Sequence, residues 1–236
     1  MYTVPSDFDV APYNLPNLDK VANSFADYTN QFEKNALQKT LGTTFYNALT
    51  AGVQALPPDW NNQTAFALDA LVCYGIDIYK SLIGPNQNVV PGSDGAKWEK
   101  QPDNRWLHLK IGEMYTIDNG STEEWVGLKK LLIPFVHASW LRDSINDSVN
   151  ATGVTQAVSE NSKQVGSGIR YGRSMNDYSR LAGKYKRHEK NNLYRYLYTN
   201  SETFDDVVVN LSDVTDFADY LVKYFKGGKM IDLFDF

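Results

Sequence analysis

Gly127-Leu128-Lys129-Lys130-Leu131-Leu132-Ile133-Pro134-Phe135-Val136-His137-Ala138-Ser139-Trp140-Leu141-Arg142-Asp143-Ser144-Ile145 is the stretch on which the fold turns. Leu128, Leu131, Leu132, Phe135, Ala138, Leu141 and Ile145 recur at three- and four-residue steps, the spacing that lines one face of an α-helix. That stripe predicts a buried helix. Pro134 has no N–H to donate, so a kink is expected there, with the Lys130 carbonyl unpaired. Just upstream, Tyr115 to Ile117 and Ser121 to Trp125 flank Asp118-Asn119-Gly120, a hairpin signal because Asn-Gly supplies the positive φ angles of a tight turn. Downstream, Ile169 to Tyr198 reads as one long helix, with Tyr171, Met175, Tyr178, Ala182 and Tyr185 as its core-facing seam.

Toward the N-terminus, Pro5, Pro12 and Pro16 make residues 1–16 an extended arm. Leu18, Val21, Ala22, Phe25, Phe32, Ala36, Leu37 and Leu41 then predict an amphipathic helix that stops at Gly42, and Thr43 caps a short second one carrying Phe45, Tyr46 and Leu49. A third helix is expected over 63–82, with Phe66, Leu68, Leu71, Val72 and Ile76 inward. Residues 84–104 are rich in Pro, Gly, Asn and Asp and read as a long exposed loop. Residues 146–168 are polar and read as a flexible segment. Val207-Val208-Val209 predicts a short strand, and Val214 to Phe225 a last helix. The expected fold class is mainly α: a helical bundle with a long helix in the C-terminal half, a small β-hairpin, and extended loops and arms. Its divisions are an arm at 1–16, a helical domain at 17–200 and an acidic extension at 201–236.

Composition narrows the chemistry. In 236 residues, 42% are hydrophobic and 22% charged, the balance of an ordinary globular chain. Met1-Tyr2-Thr3-Val4-Pro5 lacks the basic and apolar regions of a secretion signal, and no apolar run approaches the ~20 residues of a membrane span. A soluble, cytoplasmic-type protein with no membrane association is expected. Cys73 is the single cysteine and lies among Leu71, Val72, Tyr74 and Ile76, so a core position with an inert thiol is expected. His108, His137 and His188 are far apart and form no metal-binding spacing, so no metal or other cofactor is expected. Gly166-Ser167-Gly168-Ile169-Arg170-Tyr171-Gly172 is one residue off a dinucleotide fingerprint, with no buried strand before it. The pairs Glu123-Glu124 and Asp205-Asp206 sit in polar turns where nothing would raise a carboxylate pKa. No catalytic residues are identified, and no enzyme is expected.

Charge is segregated. From Lys163 to Lys190 eight basic residues face Asp177 and Glu189, whereas from Thr199 to Phe236 eight acids face Lys223, Lys226 and Lys229. Opposite blocks on one chain mark surfaces that meet each other or a neighbour; two differently solvated helical faces are the plain alternative. On the long helix, Arg170, Arg173, Arg180, Lys184 and Arg187 make a basic stripe about 100° from the tyrosine seam. Such a stripe over 170–195, with Tyr194, Tyr196 and Tyr198 interleaved, suits nucleic-acid phosphates or protein carboxylates. The whole-chain pI of about 5.2 speaks against a dedicated nucleic-acid binder.

The order of motifs along the chain resembles a family. Trp106 to Thr116 leads through Asn119-Gly120 to Trp125-Val126-Gly127-Leu128-Lys129-Lys130-Leu131-Leu132, Phe135-Val136 and Trp140-Leu141-Arg142-Asp143. Thr152-Gly153-Val154-Thr155-Gln156-Ala157, Glu160-Asn161-Ser162 and a helix with Tyr178 follow, and Phe32 to Leu37 with Phe45-Tyr46 precede. Over about 17–50 and 106–198 this is similar to the head-tail connector (adaptor) proteins of tailed bacteriophages, especially Bacteroidetes-infecting phages of the crAss-like group. The insertion at about 57–105, the tail after about 200 and Pro134 depart from the pattern.

The resemblance implies a structural virion protein at the head-tail junction, assembled in the host cytoplasm. It would form a cyclic homo-oligomer, typically dodecameric in that family, docked on the portal protein, contacting further neck and tail proteins and lining the channel for double-stranded DNA. On that footing, Val154, Gln156 and Val158 are expected to pair with another chain by strand addition. Arg173, Arg180, Lys184 and Arg187 are expected to meet carboxylates of the portal, or the Asp205-Asp206 and Asp213–Asp219 region of a neighbour. Leu233, Phe234 and Phe236 would add apolar anchors. The alternative is a nucleic-acid-binding protein using the basic helix.

Overall fold

Helix α1 (Ala22–Leu41) turns at Gly42 directly into α2 (Thr43–Gln54) and packs on α4 (Gly127–Asn150) through the apolar stripes that their sequences carry. The computed structural model describes residues 2–9, 11–13, 15, 22–117, 119–150, 167–182 and 192–208. Between α2 and α4 lie a three-stranded sheet, β1 (Leu71–Tyr74), β2 (Asp77–Ser81) and β3 (Trp98–Lys100), then α3 (Arg105–Ile111) and the hairpin β4 (Glu113–Thr116) with β5 (Thr122–Trp125). After α4 come α5 (Ser167–Ala182), α6 (Leu193–Thr199), a 3-10 turn (Ser201–Phe204) and α7 (Asp205–Val208).

The main core joins Phe25, Leu37 and Leu41 of α1, Phe45 and Leu49 of α2, Leu128, Leu131, Leu132 and Val136 of α4, and Met175, Tyr178 and Ala182 of α5. The stripe of α4 is thus buried up to Ala138, and α4 continues through Pro134 as one helix. Tyr178 of α5 is wholly buried and its hydroxyl reaches α1, sharing a 2.5 Å hydrogen bond with the Thr40 hydroxyl and donating to the Ala36 carbonyl at 3.3 Å. Burial pushes its phenol up to about 12. The hairpin forms as expected, with Tyr115 opposite Glu123 and Gly120 N–H bonded to the Ile117 carbonyl. Gly112 and Gly127, at φ of +99° and +85°, let the chain cross itself where α3 enters the hairpin and α4 leaves it. A Cβ on Gly112 would collide with the Trp125 carbonyl.

Three expectations are corrected. The first is the fold class: among the described residues about 51% are helical and 15% are in strands, so the chain is mixed α/β and not a mainly helical bundle. The difference lies in the insertion. Residues 71–81, expected within a helix, form the β1–β2 hairpin around Gly75 at φ +61°. Val72 and Cys73 are adjacent yet both buried, because this sheet is covered on both faces. Val72 packs with Phe66 and Trp98, while Cys73 and Ile78 pack on Leu107 of α3. The Leu68, Leu71 and Ile76 side chains that the helical reading placed inside are exposed. Residues 84–104 are not an open loop either. The amide of Asn86 donates to Ser81 Oγ and the Lys97 carbonyl, Trp98 Nε1 donates to the Val89 carbonyl at 2.8 Å, and β3 completes the sheet.

The second correction concerns the long helix. Asn192 is not helical; its Oδ1 accepts the Arg195 amide at 2.7 Å and caps α6, so no single helix runs through to Tyr198. Third, Val207 and Val208 are helical in α7, with Val207 buried, where a strand was expected.

At the N-terminus, residues 5–8 form a 3-10 turn whose Phe8 packs edge-on against Phe25 at 5.3 Å. The amides of Tyr2 and Thr3 and the Thr3 hydroxyl all donate to the buried Glu33 carboxylate, at 2.8, 2.7 and 2.6 Å. These residues lie on the body of their own chain.

Candidate functional site

Of the residues singled out from sequence, Val154, Gln156, Val158, Lys184, Arg187, Leu233, Phe234 and Phe236 lie outside the described residues. Arg173 and Arg180 are exposed on α5, one helical face away from the buried Met175, Tyr178 and Ala182. The stripe carries its own acid: Asp177 lies 3.9 Å from Arg180 and accepts the Tyr13 hydroxyl at 2.8 Å. Asp206, a candidate acid for a neighbour's stripe, has a partner within the chain. Arg105 at the start of α3 grips both of its oxygens, at 2.5 and 2.8 Å, and donates to the Thr203 carbonyl at 3.0 Å. Phe204 packs between Trp106 and Phe45 beside this fork, which fastens the beginning of the acidic extension to α2 and α3.

A polar network ties α6 to the hairpin. His108 Nδ1 lies 2.7 Å from Glu113 Oε2, and the Tyr196 hydroxyl donates to Glu113 Oε1 at 2.5 Å. Alongside, Arg195 Nε lies 2.8 Å from Glu123 Oε2, which also accepts the Tyr115 hydroxyl at 3.2 Å. Burial pulls the His108 imidazole down, but the Glu113 hydrogen bond and charge, the Ile76 carbonyl and Asp77 outweigh it, and its pKa is raised. Burial pushes Glu113 up, yet hydrogen bonds from His108 and Tyr196 hold it below the usual carboxylate value. Tyr196 also stacks on Trp125 at 5.6 Å. Each carboxylate here is engaged by a phenol and by a basic side chain, an arrangement that fixes α3, α6 and the hairpin relative to one another. His137, expected as a packing residue, is buried with Nδ1 2.8 Å from Ser174 Oγ, and the buried Cys73 thiol donates to the Pro57 carbonyl. Burial, then Asp59, raise that thiol's pKa.

Two cavities open on α1. One, of about 320 Å³, is lined by Tyr2, Glu33, Lys34, Tyr46, Thr50 and Lys110. Its carboxylate, Glu33, is already engaged by the amides of Tyr2 and Thr3. The other, of about 200 Å³, is a groove between α1 and α4 with Tyr28, Phe32 and Phe135 as its apolar lining and Lys39 and Arg142 among its walls. Tyr28 is exposed despite ring contacts to Phe32 and Trp140.

The inserted sheet bears the most distinctive surface. Of the ten large hydrophobic residues exposed among those described, six fall within 68–83: Leu68, Leu71, Tyr74, Ile76, Leu82 and Ile83. Asn104 holds the β1–β2 turn end of the sheet to α3, accepting the Ile78 amide at 2.8 Å. At the opposite end, Asp69 N–H bonds to Ser81 O and Ser81 N–H to Ala70 O, bringing Leu68 and Leu71 beside Leu82 and Ile83. The result is an apolar tip remote from the anchor. The sequence reading missed it because a helical period assigned half of these side chains to a core. Gly75, a turn residue set between the β-favouring runs Val72-Cys73-Tyr74 and Ile76-Asp77-Ile78-Tyr79, was the available signal.

Among the described residues, no group of three or more His, Cys, Asp or Glu is placed to hold a metal ion, and no helix is long and apolar enough to cross a membrane. Comparison with known proteins finds no matching family model, no matching curated protein and no matching solved structure.

Proposed function

We propose that this chain is a structural subunit of a tailed-phage neck, a head-tail connector that assembles with copies of itself into a ring on the portal, around the path of the DNA. The ordered motifs over 17–50 and 106–198 support the reading. The observation that carries it is the gathering of exposed apolar side chains on the inserted sheet. Monomeric soluble proteins scatter such residues, whereas surfaces that associate collect them. A head-to-tail contact between identical subunits closes into a ring when its rotation permits.

The test is native mass measurement and electron imaging of the purified chain, alone and with its portal. Closed rings of many copies centred on the portal axis are expected. A chain that stays monomeric under every condition, and binds duplex DNA with steep salt dependence through Arg173 and Arg180, would replace this reading with the nucleic-acid one.

A further inference from the structure

We infer that His108 is a proton-operated clasp: as an imidazolium it fastens the inserted sheet to the helical body, and as a neutral imidazole it lets the sheet loosen. Its neighbours place it at that junction. On the body side, Nδ1 lies 2.7 Å from Glu113 Oε2 at the start of β4. On the sheet side, the Ile76 carbonyl, next to the Gly75 turn, acts on the ring as a hydrogen-bond acceptor. Four residues earlier, at the N-terminal cap of α3, Asn104 turns its side chain to the same hairpin and accepts the Ile78 amide at 2.8 Å. The His108 side chain is only 20% exposed, and Nε2 is buried with no hydrogen bond of ordinary length.

One ring between two acceptors makes the junction depend on a proton. Neutral imidazole carries a single N–H. With that proton on Nδ1, toward Glu113, the Nε2 lone pair is left against a carbonyl in a buried contact. With it on Nε2, the lone pair faces the carboxylate instead. Imidazolium donates both ways and satisfies sheet and hairpin together. The surrounding charges favour that form. Asp77 of β2 adds negative charge on the sheet side, although Lys100 of β3 lies 2.8 Å from it. Glu113 supplies the other charge and is itself held by the Tyr196 phenol of α6. Cys73 of β1 keeps its proton, its thiol pKa being raised. On α3, Arg105 is held by Asp103 and Asp206, and Lys110, two residues on, points away from His108. The helix α2 carries no charged residue, and on α4 Lys129 is paired with Asp7 while Lys130 is exposed. The sum raises His108 above 6.5 despite burial. The clasp is therefore closed in mild acid and opens as pH climbs through the raised value. Leu107 still packs on Cys73 and Ile78, so the sheet loosens without detaching. The device is intramolecular and works in a single copy of the chain, whatever that chain assembles into.

The experiment is NMR of the whole chain between about pH 6 and about pH 9. Ring nitrogen shifts of His108 report its proton. Hydrogen exchange, corrected for the intrinsic effect of pH on amide exchange, reports the junction through the Ile78 amide, whose acceptor is Asn104. The Ser81 amide, bonded to the Ala70 carbonyl within the inserted unit, is the control. His108 should titrate above 6.5, and protection of Ile78 should fall about tenfold or more with the same midpoint while Ser81 holds level. In His108→Gln, which has no ring proton to lose, Ile78 should keep one level of protection at every pH. Ile78 protection that ignores the His108 titration, or falls equally in His108→Gln, overturns the clasp. So does a parallel loss at Ser81, which is unfolding of the sheet and not loosening of its attachment. Should His108→Gln fail to fold, the coincidence of midpoints in the wild type decides alone.

Discussion

The helical body and the inserted sheet use apolar residues in opposite ways. In the body, Phe25, Phe45, Leu128, Trp125 and Tyr178 are sealed, and the exposed face of α5 is left to Arg173, Asn176 and Arg180. In the sheet, three side chains make a small core, and leucines and isoleucines of comparable size stand in water around it. One region has used its apolar surface to fold. The other has kept much of it uncovered, although acids and lysines are abundant in the same segment. The contrast points to a folding unit that carries a contact unit, joined through Cys73, Ile78, Leu107 and Leu56.

The sharpest way to break that division is to empty each core in turn. Trp125→Ala removes a fully buried indole that stacks on Tyr196 and donates to the Leu109 carbonyl at 2.8 Å. It should destabilise the whole body by about 3–5 kcal/mol in denaturant titration. Trp98→Ala creates a hole of similar kind in the sheet, but its effect should be local. Hydrogen exchange should accelerate over 66–100 while amides of α1, α4 and α5 stay protected. If both regions unfold together, the two are one cooperative unit.

A smaller effect has a diagnostic sign. Gly75 sits at φ +61° with open space around it, so Gly75→Ala should cost about 1–2 kcal/mol by forcing a left-handed alanine. Were 63–82 helical, the same change would stabilise by about 1 kcal/mol. A thermal melt of that variant separates a hairpin from a helix.

The gentlest perturbation is pH. His108 is raised from 6.5, so its contribution is full below that value and fades as pH climbs through the raised pKa. Glu113 is lowered from 4.5, so its contribution is full above that value and fades as pH falls through the lowered one. The network that joins α3, α6 and the hairpin through Glu113 should therefore be firmest between about pH 4.5 and 6.5. Glu113→Gln should remove the alkaline decline, a change of about 1–2 kcal/mol read from the urea midpoint against pH.

What was legible in the sequence follows the same boundary. The body announced itself because a 3.6-residue period repeats over α1 and α4 and because Asn119-Gly120 specifies its turn locally. The seam of Met175, Tyr178 and Ala182 was equally readable. The inserted sheet was not, because its strands are three to five residues long. Over so short a run, apolar residues such as Leu68, Leu71, Val72 and Ile76 fit a helical step as well as an alternating one. What arbitrates is pairing with β3, some twenty residues further on, and the burial of Val72 and Cys73 against different partners. The basic stripe was visible as charge, but Arg105 as the holder of Asp206 was not. That contact joins positions 101 residues apart, and no periodicity encodes it.

The division between folding unit and contact unit is tested most directly by hydroxyl-radical footprinting of the wild-type chain before and after assembly. Oxidation should drop at Leu68, Leu82 and Ile83 on the sheet tip, while exposed Met114 on the hairpin stays as reactive as before. Assembly that shields Met114 and leaves the tip open would contradict the account.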